Sequence, residues 1–590
     1  MIEPRIYRAA FLPALLAVVL AMFSLESRPD PLPQGLPADV LFDGRLAEAT
    51  LRTIVEREPD RRAGSVGDLR SARFVRDTLR RRGFSVTFDD FDAEGERLAN
   101  VVGRRAGASQ RQIVVIAARD AASVPDATGS AADTAALLEF ARVYKGRPSD
   151  KTLVLASVDG STLGEAGARR LVAELGNREL TDSVIVISDL GAPRRRGALI
   201  VPWANDPTRV GVGLERTVAD SLRAEVKSIG AAPSPAGQLS HLAFPLGIGA
   251  QGVLLDEGLD AIRISGSGQL PPPVSETGLE DVDRDRLGPL GRGALRTIST
   301  LDKRPKPDRG AETYVTAVRQ ILPGWVVTVL VLALLAPALV ASVDGFARAR
   351  RRREPVARWL AWLFAGLTPF LLGLALAELL VFAGAVPDTP VAPIAPDSEP
   401  LDATGGAAMG AVFVTVLLGW LLARPWLTGG RTRAAAPAGA GTATALALSL
   451  AALALWFVNP FAALMVVPAV HLWMLATVVD PPPARRIQAL MIAGGLVLPV
   501  IVAVYYLLNL DLNPLDGAWY LFLLVTGHQV GLATTLLGCT FLALLGATAS
   551  LAITGRAEGA AGEGTPSVRG PSSYAGPGSL GGTGSALPKR

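Results

Sequence analysis

Cysteine and histidine are nearly missing from this sequence. One cysteine, Cys539, stands in an apolar run among 590 residues, so no intrachain disulfide can form and any extracytoplasmic domain must be held by its own core. Three histidines are present, and two of them, His471 and His528, lie in the strongly apolar C-terminal half. Metal sites built from imidazole or thiolate therefore have few donors to draw on. Charge of one sign is lacking as well: the formal net charge is +4, and the arginines stand in short runs beside apolar stretches. That pattern suits membrane orientation better than an electrostatic footprint for nucleic acid, and no nucleic-acid partner is expected.

What is abundant is apolar surface. Hydrophobic residues make up 49% of the chain and the mean hydropathy is +0.34, too apolar for an ordinary soluble enzyme. The excess is uneven. Residues 1–26 place Arg5 and Arg8 before an apolar run with no clear small-x-small cleavage site behind it, and read as an uncleaved signal anchor. A proline-rich linker at 27–40 leads into a soluble domain at 41–305, and a second linker at 306–320 leads to a membrane domain of about seven helices at 321–554. Its spans are predicted near 321–343, 359–386, 407–423, 440–457, 460–479, 487–509 and 531–554. "WYLFLLVTG" (519–527) is too short to cross a bilayer and reads as interfacial. The Gly/Ser/Pro-rich tail, 555–590, is predicted to be disordered and cytoplasmic. Basic loops belong on the cytoplasmic side. The loops "ARARRRREPVAR", "RPWLTGGRTR" and "DPPPARR" are arginine-rich, whereas "PDTPVAPIAPDSEPLDATGG" and "DLNPLDGA" have none. A multi-pass protein of the cell membrane follows, with both termini cytoplasmic and residues 41–305 extracytoplasmic.

Within 41–305, "GDLRSARFVRDTLRRRG" has the period of an amphipathic helix with Leu69, Phe74, Val75 and Leu79 on its apolar face. Short, nearly all-apolar strands, "RQIVVIAA", "KTLVLASV" and "DSVIVISD", alternate with the helices "SAADTAALLEFARVY" and "GEAGARRLVAEL". This predicts an α/β fold, a three-layer α/β/α sandwich with a mixed, mostly parallel sheet. Working sites in such folds lie beyond the carboxyl ends of the strands, where Asp120, Asp159 and Asp189 stand.

The ordered series "AARD", "DATGSAADTAALLE", "VDGSTLGEAGARR", "VISDLG" and "PPVSETGLEDVDRDRL" resembles the zinc-dependent exopeptidases of peptidase family M28 over roughly residues 45–300. "LSHLAF…GIGAQGVLL" resembles a further family segment and the strand after it. The family holds two zinc ions with histidines and carboxylates and uses a glutamate as general base. Carried over by position, the first histidine falls on Ala118, the bridging aspartate on Gly129, the general base on Ser161 and the adjacent glutamate on Thr162. The last histidine falls near Pro272, and only the aspartate at Asp189 persists. The resemblance thus implies a degenerate site with no catalytic residue and no zinc or other cofactor. It also implies a binding cleft around Asp120, Ser161, Asp189 and His241. Asp120, whose family counterpart orients the missing histidine, is expected to cap a loop or face solvent.

His241 beside Ser240 does not make a serine-hydrolase triad, because neighbours on one strand point apart and "DGST" lacks a glycine-flanked elbow. In the membrane half Glu378 and His471 are the ionisable residues within predicted spans, each a functional candidate by its placement. The layout is similar to the non-catalytic exopeptidase-like subunit of the GPI transamidase and to multi-span membrane metallopeptidases of the same family. A composition rich in Ala, Arg, Gly and Pro points to a high-GC bacterium. Three functions stay open: a membrane pseudopeptidase that binds or scaffolds a peptide or protein partner, an active membrane zinc aminopeptidase, and a lipid or solute transporter with an accessory soluble domain.

Overall fold

The computed structural model describes residues 4–34, 41–193, 199–270, 276–317, 319–428, 439–479 and 483–554. The soluble region is built on a seven-stranded mixed sheet. Across it the strands run Ser85–Ala93, Glu96–Arg105, Lys151–Val158, Ser109–Ala118, Thr181–Ser188, Ala261–Ser265 and Ile200–Val201. The four strands from Lys151–Val158 to Ala261–Ser265 are mutually parallel, and antiparallel pairs close both edges. The buried central strands are runs of Val, Ile and Leu without alternation, as a sheet covered on both faces requires.

The order of connection places the cleft. From Ser109–Ala118 the chain crosses through helix Ala132–Tyr144 to the neighbour on one side, Lys151–Val158. It then returns through helix Ala166–Glu174 to the neighbour on the other side, Thr181–Ser188. Right-handed crossovers in opposite directions put these two helices on opposite faces. The strand ends separate at this reversal and open a crevice beyond Ala118. Gly44–Arg57 and Arg284–Lys303 complete one helical layer, and Ala250–Asp256 packs with Ala166–Glu174 in the other.

Two readings need correction. The helix Val66–Arg81 forms, but its buried face is Asp68, Ser71, Ala72, Val75, Thr78 and Leu79, with Leu69 and Phe74 only half-buried. The face is turned because Asp68 enters the core to pair with Arg119. The segment "GIGAQGVLL" is the helix Ala250–Asp256, not a strand; the strand position beside Thr181–Ser188 is taken by Ala261–Ser265.

Beyond residue 320 the architecture is helical. Among the described residues seven helices are long and apolar enough to cross a membrane, including Arg5–Phe23 and Gly324–Arg351. The pair Arg485–Gly495 and Val497–Asn509, bent by 44°, could make an eighth crossing. The apolar helix Pro514–Thr526, which contains "WYLFLLVTG", has 13 residues and buries Trp519, Tyr520 and Leu523 against its neighbours. The predicted tail lies outside the described residues. Glu26–Ser27 pairs with Gln320–Pro323, which pairs with Tyr314–Thr316, so a small antiparallel sheet ties the exit of the first apolar helix to the entry of the second.

Candidate functional site

The crevice holds a cavity of about 170 Å³ lined by Ala118, Asp120, Ser161, Thr162, Glu165, Asp189 and Arg263 among others. The strand ends supply its floor. Its outer wall comes from elsewhere: Pro393, Ile394, Ala395 and Ser398 belong to the connection between the apolar helices Thr368–Phe382 and Ala403–Leu418. Helix Pro514–Thr526 and the turn after it hold this strap. Trp519 Nε1 donates to Glu399 O at 2.8 Å, Tyr520 Oη to Ile394 O at 2.8 Å, and Gln529 Nε2 to Pro390 O at 2.7 Å. Gly164, at φ +63, lets the strap close in, since a Cβ there would stand 2.6 Å from Pro390 Cβ.

Asp120 neither faces solvent nor stands free. It is 2% exposed, and its carboxylate accepts from the amides of Ser161 and Thr162 at 3.0 and 3.1 Å and from their hydroxyls at 3.0 and 3.1 Å. The two residues at the glutamate positions are thus the donors that fix this aspartate, and it fixes their turn. Burial, reinforced by the charge of Asp159, raises the Asp120 pKa above the usual carboxylate range, and the four donors work against that rise.

Asp189 adopts a left-handed backbone, φ +58. Its carboxylate accepts from Ser188 Oγ at 2.9 Å and Ser267 Oγ at 2.8 Å. Asp133 lies beneath, accepting from the Asp189 and Leu190 amides at 2.8 and 3.0 Å. Burial raises both carboxyls, Asp133 the more strongly because it also faces the charge of Asp189.

Sequence reasoning missed Asp133, Glu165 and Arg263, none of which falls on a ligand or base position carried over from the resemblance. Glu165 also has a left-handed backbone, φ +58, and its carboxyl is raised to about 8 by burial and by Asp120, against the pull of Arg263 and Arg169. Arg263, 3% exposed, donates to Gln269 O at 2.6 Å while its Nε has no partner. A positive φ at a bulky acidic residue is the kind of strain that gathers at functional sites, but φ cannot be read from sequence.

The family's zinc positions do not fit a metal here. Ala118 has no donor atom. A Cβ at Gly129 would lie 2.6 Å from Asp126 Oδ1, so a side chain there would have to displace that carboxylate. Asp120 and Asp189 are committed to hydroxyls and amides. No group of three or more His, Cys, Asp or Glu among the described residues could hold a metal ion. Pro272 lies outside the described residues.

Behind the cleft, Arg119 is fully buried, with Nε and Nη2 on Asp68 at 2.9 and 2.6 Å and Nη2 also 3.3 Å from Asp159. Asp159 accepts from the Ala99 amide at 3.0 Å, and its pKa is raised to about 7, by burial first. Asp159 is structural: it joins strand Glu96–Arg105 to the strand-end loop.

His241 is not in the cleft. It lies on helix Pro235–Ala243 at the junction with the apolar helices, stacked on Trp203 with ring centroids 4.2 Å apart. Tyr506 Oη donates to Phe244 O and so accepts from His241 Nδ1–H at 3.1 Å. Gln269 Nε2 donates to His241 Nε2 at 3.1 Å, and Asn509 Nδ2 to Gln269 Oε1 at 2.8 Å. Each partner is satisfied with a neutral ring, and burial lowers the His241 pKa to about 3. Ser161 therefore has no imidazole beside it. Of the membrane candidates, His471 bonds Tyr7 Oη at 2.7 Å and Leu334 O at 2.9 Å, joining the first apolar helix to two others. Glu378 lies 3.8 Å from His528 Nε2. These two sites do not meet.

No family model and no curated protein matches the chain. Solved structures are similar to part of it. A glutaminyl cyclase from an Acidobacteriales bacterium aligns at 15% identity and a TM-score of 0.35, covering 45% of this chain and 96% of the other. BSAP, a zinc aminopeptidase from Bacillus subtilis, aligns at 13% identity and a TM-score of 0.37, covering 45% and 98%. LapA aminopeptidase from Legionella pneumophila aligns at 12% identity and a TM-score of 0.36, covering 45% and 72%.

Proposed function

We propose that this is a multi-pass membrane protein whose exopeptidase-like domain binds a polypeptide segment or protein partner without cleaving it. One observation carries the reading. The groups at the catalytic positions of the resembled family are engaged with the protein's own loops, Asp120 with Ser161 and Thr162 and Asp189 with Ser188 and Ser267. Hydrolysis at such a site needs a metal-bound water and a base free to take its proton. Ala118 and Gly129 offer neither. The cleft does suit an extended chain, for the proline-rich strap already lies along it through Pro393, Ile394 and Ala395.

The test uses the full chain purified in detergent. Elemental analysis is expected to find no stoichiometric zinc, aminoacyl chromogenic substrates to stay intact, and cross-linking in native membranes with mass spectrometry to capture a stable polypeptide partner. Stoichiometric zinc together with chelator-sensitive peptidase activity overturns the proposal in favour of an active membrane metallopeptidase.

A further inference from the structure

At the end of the helical bundle that bears the arginine runs, two helices frame a hollow of about 410 Å³. Helix Val356–Ala365 contributes Arg358, Trp359 and Trp362, and helix Arg424–Thr428 contributes Leu427 and Thr428. Arg424, at the start of that second helix, is 7% exposed. Its guanidinium carbon lies 4.1 Å from the Trp362 ring centroid and 4.3 Å from that of Trp420. Trp362 therefore belongs to both the hollow and the cation-π clasp. The Nε and Nη2 atoms of Arg424 are buried with no hydrogen-bond partner. A π-helical turn, Gly419–Ala423, directly precedes it. Such turns shift the helix face and recur at functional sites.

The ion pair on the neighbouring helix end joins Arg348 to Asp344, and among the described residues neither Arg358 nor Arg424 shares one. Two aromatic faces offset only part of the desolvation of a buried guanidinium. An unpaired charge near the end of a membrane-length helix marks a functional site by default. Arginine forks match phosphate oxygens, and tryptophans line the layer where lipid headgroups sit.

We propose that Arg358 and Arg424, framed by Trp359 and Trp362, form a binding site for a phosphate group, that of an anionic phospholipid headgroup. Exposed Arg358 meets the phosphate first, and Arg424 supplies the unscreened charge behind it. This site is separate from the cleft and does not depend on what the cleft binds.

The experiment measures the thermal midpoint of the full-length protein in a neutral detergent, with added phosphatidylglycerol, phosphatidylcholine or inorganic phosphate. Phosphatidylglycerol is expected to raise the midpoint well beyond phosphatidylcholine. Arg424→Gln should abolish the difference and Arg358→Gln should reduce it. Should R424Q not fold, R358Q, on an exposed side chain, decides alone. Equal stabilisation by both lipids, or an undiminished response in R358Q, overturns the site. Full protection by inorganic phosphate, lost in the variants, keeps the phosphate site but overturns the lipid as its source.

Discussion

Asp120 and Ser161 are bound to each other twice: the amide and the hydroxyl of Ser161 both donate to the Asp120 carboxylate, each at 3.0 Å. In the resembled family these positions orient a metal ligand and supply the base. Here they form one closed unit that shapes the mouth of the cleft.

Asp120→Ala should therefore act on stability. It leaves two amides and two hydroxyls at 161 and 162 without their acceptor, and a loss of about 3 kcal/mol is expected. Asp120→Asn, which retains one carbonyl oxygen, should lose less. Chemical denaturation of the full chain in detergent measures both.

Arg119→Met should be more damaging still. It strands Asp68 and Asp159 as buried carboxylates, and breaking such a network from one side costs about 3–5 kcal/mol. The companion change Asp68→Leu should recover part of that loss, read as a higher thermal midpoint in the double variant.

Glu165 sets a pH dependence. Its folded pKa of about 8 stands above the usual 4.5, so the folded state holds the proton more tightly. Its effect on stability is unfavourable once the carboxyl ionises, and stability should fall as pH rises from about 5 to about 8. Glu165→Gln should flatten that part of the thermal-midpoint profile.

His241 should contribute a slope of the opposite sign, confined to the acid side. With its pKa lowered to about 3, it is neutral folded and unfolded above the ordinary imidazole range. Below about 6.5 the unfolded chain takes up a proton that the folded chain refuses, so its contribution falls as pH drops from there. His241→Phe keeps the stacking on Trp203 and should remove this acid-side loss, measured between pH 4 and 6.5.

The strap should control access. Replacing Cys539 by Ala removes the chain's one thiol, and Ala118→Cys then places a single reporter in the cleft. Maleimide labelling should be slow with the strap in place and faster in Trp519→Ala, which loses the bond to Glu399 O. Equal rates would show that the strap does not cover the cleft.

Much of the fold was legible because it rests on local pattern. The unbroken apolar runs "RQIVVIAA" and "DSVIVISD" could only be strands covered on both faces. The apolar stretches beyond residue 320 are likewise helices of membrane length. Where the reading failed, a long-range partner overrode the pattern. Asp68 turned a helix face inward because Arg119, 51 residues away, needed it. His241 left the cleft because Trp203 and Tyr506 hold it at the junction.

By itself the sequence determined that Ala118 and Gly129 bring no side-chain donor atom to the strand ends, in any conformation. It also determined the division into an α/β part and an apolar helical part, because periodicity and composition are properties of neighbouring residues. Only the tertiary structure decided how the cleft is built. Asp120 with Ser161, Asp133 beneath Asp189, the strap across the cleft and Arg424 between two tryptophans all join residues distant in the chain. Their energetics depend on burial and on partner geometry, which exist only once the chain has folded.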